Sequence, residues 1–290
     1  MFNIVGDRDL RKLLEERAQF SPENTFLIFE DTQGNVESFT YRQFDDNVNR
    51  VANALHGMGI SRGDKVNLHL GNCPEFLFLW FALAKLGGIM VPTNPLSTAV
   101  ELQYILNHSE STLSVTEPDY LGVVEDALRD CPRVKGVVLC RSDELRPGLT
   151  LMADILKGDA SPPPPSGLAP DDEMAILYTS GTTAQPKGVV LTHAYYIWTG
   201  ELTAHHEKLR PEDRHFIVLP LFHGNAQFYS TMASLVTGAS IALMQSFSAS
   251  RYFQQAARHG ATVASLFAAP MRMILSQPLS RQPRENQLRL

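Results

Sequence analysis

The chain has 290 residues, 44% hydrophobic, 19% charged and 9% aromatic, the composition of a globular protein able to bury a sizeable core. Twenty-five Lys and Arg stand against 31 Asp and Glu, a formal charge of -6, so no bulk positive field exists to hold nucleic acid or an anionic membrane. Cys73, Cys131 and Cys140 form an odd set without finger or ribbon spacing, which indicates neither a disulfide framework nor a metal site.

The first twenty residues mix acidic and basic side chains and lack the apolar region of a secretory signal, so a reducing, cytoplasmic setting is expected. A helix is predicted over Asp9 to Phe20, then strands at Thr25 to Glu30 and Val36 to Tyr41 around the turn residues Gln33, Gly34 and Asn35. From Tyr41 to Met58 the apolar residues Phe44, Val48, Val51 and Leu55 recur at intervals of four, three and four, one face of a helix. Lys65 to Leu70 reads as a strand. Pro74 opens the next helix where its missing N–H costs nothing, and Gly87-Gly88 closes it before a strand at Ile89 to Val91. The apolar run Phe76 to Ala84 inside that helix is too short to span a bilayer and is expected to be buried.

The alternation continues with a helix at Val100 to His108, a strand at Thr112 to Thr116, a helix at Leu121 to Arg129 and a strand at Gly136 to Cys140. Beyond the proline run come strands at Met174 to Tyr178, Gly188 to Leu191, Phe216 to Leu219, Ser240 to Leu243 and Thr262 to Phe267. Helical patterns lie around Tyr195 to Glu207, Gln227 to Val236 and Arg251 to Arg258. Strands alternating with helices imply an α/β fold, with parallel-rich sheets flanked by helices. Ser161-Pro-Pro-Pro-Pro-Ser166 cannot be helix or inner strand, so residues 161–173 are read as a stiff connector between a first α/β subdomain, 1–160, and a second, 174–290.

The second subdomain opens on Tyr178-Thr-Ser-Gly-Thr-Thr-Ala-Gln-Pro-Lys187-Gly188, between two apolar runs. Backbone amides able to converge, hydroxyls able to donate and a lysine are what a polyphosphate needs, although a solvated Ser/Thr hairpin has a similar composition. The loop is not a Walker motif, because Lys187 precedes its glycine and Val189 follows it.

The run from Tyr178 to His193, YTSGTTAQPKGVVLTH, resembles the signature loop of the adenylate-forming, or AMP-binding, superfamily of acyl-CoA synthetases, peptide-synthetase adenylation domains and luciferases. Phe39-Thr-Tyr41, Leu86-Gly-Gly-Ile-Met-Val-Pro92-Thr-Asn-Pro95 and Pro220-Leu-Phe-His223 resemble family segments in the same order. Asn72-Cys-Pro-Glu-Phe76 and Ile105-Leu-Asn-His108-Ser look most like the carnitine/crotonobetaine-CoA ligase branch.

The resemblance implies the N-terminal domain of an acyl-CoA synthetase, which joins a small-molecule carboxylic acid to ATP and then to coenzyme A, with Mg2+ as the metal. It implies that Thr179, Ser180, Gly181, Thr182 and Thr183 contact the β- and γ-phosphates, that Lys187 adds positive charge, and that His223 stands near the carboxylate. Phe222, Phe228 and Tyr229 are candidates for the acid pocket, where aromatic faces would suit a trimethylammonium group.

Family members continue with a magnesium-binding glutamate, a ribose-binding aspartate, a hinge and a mobile C-terminal domain with its lysine. The last lysine here is Lys208, followed only by the acids Glu212, Asp213 and Glu285, so the sequence is expected to be a truncated form. Missing strands would leave sheet edges to cover, and a homo-oligomer is one way of covering them. A non-catalytic nucleotide- or acyl-binding fragment is the alternative to a ligase.

Overall fold

The computed structural model describes residues 4–144, 146–179, 185–278 and 286–289. The chain runs α1 (Leu10–Phe20), β1 (Thr25–Glu30), β2 (Val36–Thr40), α2 (Tyr41–Gly57), β3 (Lys65–His69), α3 (Pro74–Leu86), β4 (Ile89–Pro92), α4 (Ala99–Ser109), β5 (Leu113–Thr116), α5 (Pro118–Leu128) and β6 (Val137–Leu139). It continues through β7 (Leu149–Leu151), α6 (Met152–Ile155), β8 (Glu173–Thr179), β9 (Lys187–Thr192), α7 (His193–Glu207) and β10 (Arg214–Ile217). A π-helix (Asn225–Met232) leads into α8 (Ala233–Thr237), followed by β11 (Ser240–Met244), α9 (Tyr252–Arg258), β12 (Val263–Ala264) and α10 (Ala268–Leu275).

The element ends follow from local chemistry. Asp9 caps α1 by accepting from the Lys12 amide, while Thr40 with Gln43 and Thr98 with Glu101 form reciprocal capping boxes on α2 and α4. Pro74 and Pro118 start their helices, and Gly87 ends α3 in the left-handed conformation that a side chain would oppose.

Two sheets form, in the orders β12-β10-β11-β1-β2 and β7-β6-β5-β3-β4-β8-β9. Every described pairing is parallel except β1 with β2 and β8 with β9, as the alternating pattern implies. One apolar core joins α1, α2, α3, α7 and α8 to residues of both sheets, including Leu27, Ile241, Leu68 and Met90. A smaller cluster seats Leu102 of α4 and Leu121 and Val124 of α5 over Val137 and Leu139 of β6.

The proline run does not separate the sheets. Strands from before and after it meet in both, β1 with β11 and β4 with β8. The connector is also held down: Arg11 donates to the carbonyls of Pro163 and Pro164 at 2.8 Å, and Ser166 Oγ to that of Lys85 at 2.8 Å. Prolines leave their carbonyls free as acceptors, so the segment is a strap across α1 and α3. Two further expectations are modified. The strand expected at Thr262 to Phe267 pairs only at Val263–Ala264, and Phe267 caps α10 instead. The single helix expected at Gln227 to Val236 is π-helical up to Met232, where the Thr231 hydroxyl donates five residues back to the Ala226 carbonyl at 2.9 Å.

The π-helix lies close against α7. A Cβ on Gly200 would stand 2.9 Å from the Met232 carbonyl oxygen, a backbone contact that no rotamer change relieves. Gly200→Ala is therefore expected to cost about 1–3 kcal/mol. Gly122→Ala, in open space on α5, is expected to gain about 0.5–1 kcal/mol. Urea midpoints of the two variants check this, and a Gly200→Ala protein as stable as the parent would refute the close contact.

His215 of β10 is fully buried with neither ring nitrogen hydrogen-bonded, and burial pushes its pKa down to about 3. The unfolded chain takes up a proton near pH 6.5 that the native imidazole refuses, so this group withdraws stability as the pH falls from about 6.5 towards 3. Glu207, pushed up to about 7 by burial, acts in the opposite sense, so the comparison must be between variants. Relative to the parent, His215→Leu is expected to gain up to about 1.4 kcal/mol per pH unit between pH 6.5 and 5. A stability difference independent of pH would contradict a neutral buried His215.

Candidate functional site

Parallel strands of both sheets end on one cleft of about 420 Å³. The seven-stranded sheet contributes Gly71 and Asn72 after β3, Asn94 to Leu96 after β4 and Tyr120 from the start of α5. The five-stranded sheet contributes Leu219, Pro220 and Phe222 after β10, Gln245 to Phe247 after β11, and Phe267 after β12. Crevices outside the carboxyl ends of parallel strands are where open α/β sheets bind ligands. A hollow of about 450 Å³ near Asp64, Thr112 and Lys135 lies at the opposite, amino-terminal ends of β3, β5 and β6, and none of the expected site residues lines it.

The hydroxyl-rich segment joins β8 to β9, which pair antiparallel. Thr179 and Lys187 are direct cross-strand partners at its mouth, both exposed. Ser180, Gly181, Thr182 and Thr183 lie outside the described residues. The pair extends the sheet beside β4, so Thr179 at the end of β8 and Lys187 at the start of β9 lie towards the end at which β3 and β4 open onto the cleft.

Gly188 has a packing duty that composition does not reveal. It stands opposite Tyr178, and a Cβ there would come within 2.7 Å of Ile176 Cγ2 and 3.3 Å of the Tyr178 ring. The Tyr178 hydroxyl is 2.7 Å from His108 Nδ1, and burial pushes its pKa up to about 12, so it remains a neutral phenol. Tyr104, one helical turn before His108 on α4, donates to the Pro186 carbonyl at 3.1 Å. Helix α4 thus holds both arms of the hairpin through two side chains at i and i+4. The i, i+4 spacing of Tyr104 and His108 on the predicted helix is the signal in the sequence for this pair.

His223 follows β10 in a tight turn, its amide donating to the Pro220 carbonyl at 3.1 Å. The imidazole is exposed at the surface, yet enough protein surrounds it that desolvation lowers its pKa below the ordinary value, which favours a neutral ring able to accept or donate. Its centroid lies 4.3 Å from that of Phe222, which lines the cleft. Phe228, a candidate for the same pocket, packs between Tyr195 and Tyr196 at 5.4 and 5.2 Å, and Tyr229 is exposed. The cleft's aromatic lining comes instead from Tyr120, Phe222, Phe247 and Phe267.

Two residues not singled out individually from the sequence hold this turn. Asn72 accepts from the Leu221 amide at 2.8 Å and donates to the carbonyls of Leu219 and Met244 at 3.1 and 3.0 Å. Gln227 donates to the Leu221 carbonyl at 2.6 Å. Among the described residues no group of three or more His, Cys, Asp or Glu could hold a metal ion, and no helix is long and apolar enough to cross a membrane.

Residues 14–290 match the AMP-binding enzyme family. The crotonobetaine/carnitine–CoA ligase of Proteus mirabilis (strain HI4320) is 34% identical over 291 residues, covering 99% of this chain and 56% of that enzyme. The enzyme of the same name from Escherichia coli O127:H6 is 34% identical over 292 residues, with the same coverage of both chains. The chain therefore spans about half the length of the curated relatives it matches. Among solved structures, the inhibitor-bound N-terminal domain of FACL13 from Mycobacterium tuberculosis superposes with a TM-score of 0.85 at 27% identity, covering 97% of this chain and 68% of that one. The anthranilate CoA ligase AuaEII, in complex with anthranoyl-AMP, superposes with a TM-score of 0.83 at 24% identity over 89% of this chain and 49% of that one, a likeness of fold. Matched over residues 14–290 and folded into two parallel-rich sheets with a cleft at the carboxyl ends of their strands, the chain belongs to the AMP-binding enzyme family.

Proposed function

We propose that the chain carries the adenylation half of an ATP-dependent acid–thiol ligase. The observation that carries this reading is the convergence of the Thr179/Lys187 hairpin and the Phe222–His223 turn on the carboxyl ends of the two sheets. In the reaction a carboxylate oxygen attacks the α-phosphorus of ATP, the bond to the β-phosphate bridging oxygen breaks, and acyl-adenylate and pyrophosphate form. A thiolate, that of coenzyme A, then attacks the acyl carbon and AMP leaves. The first step brings anionic oxygen to an anionic centre, so alignment and charge neutralisation are the main demands.

Residues of this chain would meet part of that demand. Lys187 at the hairpin mouth would neutralise phosphate charge alongside the hydroxyl and amide donors of Thr179, Ser180, Gly181, Thr182 and Thr183. His223, neutral and at the surface beside the cleft, would donate to the acid and hold its carboxylate towards the α-phosphorus. The names of the relatives at 34% identity suggest crotonobetaine or carnitine as the acid. A cleft lined by aromatic rings suits the trimethylammonium group of such acids. The protein is expected to act as a soluble cytoplasmic enzyme in carnitine or fatty acid metabolism, as a monomer or a homo-oligomer.

Exchange of labelled pyrophosphate into ATP, measured with a panel from crotonobetaine to long fatty acids, tests the reading. The expected result is exchange dependent on one class of acid, falling at least about a hundredfold in Lys187→Ala and in His223→Ala. No exchange with any acid, from protein that melts cooperatively, would leave a non-catalytic nucleotide- or acyl-binding fragment as the better description.

A further inference from the structure

The backbone of Leu221 is held from both sides by buried amide side chains. Its N–H donates to Asn72 Oδ1 at 2.8 Å and its carbonyl accepts from Gln227 Nε2 at 2.6 Å. Asn72 is anchored in turn by donating to Leu219 and Met244, at the ends of β10 and β11, although it belongs to the turn after β3 in the other sheet. Gln227 is anchored on the π-helix, and its Oε1 accepts from the Tyr196 hydroxyl of α7 at 2.6 Å. Gln227 and Tyr196 are fully buried and Asn72 is 6% exposed, so water does not compete for these bonds.

The placement is selective. One residue beyond Leu221, the Phe222 side chain lines the cleft; two beyond, His223 is exposed beside it. The N–H lies in the peptide plane before Leu221 and the C=O in the plane after it, so both planes flanking Leu221 are held and the two following side chains inherit their directions from them. The supports come from three separate elements: the β3–α3 turn, the π-helix and, through Tyr196, α7. We propose that Asn72 and Gln227 are positioning residues for the proposed adenylation chemistry, jointly orienting Phe222 as a wall of the cleft and His223 towards the carboxylate. Neither touches the reacting atoms. The π-helix has a use on this view, since it carries Gln227 onto the Leu221 carbonyl six residues before it.

The role assigned to His223 belongs to the functional reading above, so the test has one arm that does not depend on it. Gln227→Met and Asn72→Leu are near-isosteric, uncharged changes that remove the amide bonds, and Tyr196→Phe removes only the outer anchor while keeping the ring. In the full chain the His223 imidazole is followed by NMR titration, together with the rate of acid-dependent pyrophosphate exchange. In the parent, desolvation is expected to hold the midpoint below the ordinary histidine value of about 6.5. In folded Gln227→Met and Asn72→Leu it is expected to rise towards that value as the ring swings into water, with a smaller rise in Tyr196→Phe. Exchange at saturating acid and ATP is expected to fall on the order of tenfold to a hundredfold, with KM for ATP unchanged. An unchanged His223 midpoint in the folded variants would overturn the proposal, and if the first two variants do not fold, Tyr196→Phe decides by the same midpoint. Absence of exchange in the parent would count against the ligase reading alone, because the titration still decides whether the two amides orient His223.

Discussion

The constraint on which the structure turns is that α3 has no polar face. Every residue from Phe76 to Leu86 is buried, so the helix cannot lie on a surface and must be enclosed. Phe78 meets Phe39 of β2 and Phe44 of α2 at 5.4 Å, Phe81 meets Phe44 at 5.7 Å, and Trp80 meets Tyr196 of α7 at 5.2 Å. Elements from both sides of the proline strap are therefore needed to surround one helix. The single charge on its buried length, Lys85, is neutralised within the same packing. Its Nζ lies 2.6 Å from Asp45, 3.2 Å from Glu15 and 2.7 Å from Asn49 Oδ1. Desolvation pushes the Asp45 pKa up despite the lysine, the expected cost of a buried pair, so the network serves to fix α1, α2 and α3 against one another more than to stabilise them.

Enclosing α3 also decides where chemistry can occur. Its amino end carries Asn72 and Cys73 up to the carboxyl ends of both sheets, where backbone groups of β10 and β11 would otherwise be left without partners in a dry setting. Asn72 satisfies them, and in doing so brings the histidine turn of one sheet to the cleft edge of the other. On the far side, α4 fastens the β8–β9 hairpin through Tyr104 and His108. The cleft thus takes lining residues from each sheet, and Gly71 and Asn72, just before the buried helix α3, are among them. Such a site is held by rigid elements, with loops supplying the donors, which is the arrangement that charge-developing chemistry requires.

Much of this was legible in the residues, because it depended on local rules. The four-three-four spacing of Phe44, Val48, Val51 and Leu55 gave α2 its face, and all four are buried. Pro74 and Gly87-Gly88 bracketed α3. The phosphate-loop reading rested on residue types, and the strands expected on either side of it form as Glu173–Thr179 and Lys187–Thr192. Sheet order was not legible, since nothing in a strand's own alternation says that β1 will pair with β11, more than two hundred positions away. For the same reason 161–173 read as a boundary: its prolines exclude regular structure but do not say that Arg11 will bind their carbonyls. The π-helix was hidden because an apolar pattern over eight residues does not separate five-residue from four-residue hydrogen bonding. The holding roles of Asn72, Gln227 and Tyr104 were not legible, because their partners are backbone groups that only the fold brings to them.

The central claim is that one cleft, supported by α3, receives nucleotide at the hairpin and acid at the histidine turn. Hydrogen-exchange mass spectrometry of the chain, with and without magnesium–ATP and a matched acid, tests this most directly. The account predicts that nucleotide protects the amides of residues 174–192 and that the acid adds protection at residues 218–228, with the 58–64 and 135–137 segments at the opposite sheet ends unchanged. Protection confined to those opposite ends, or none at the hairpin with saturating nucleotide, would contradict it.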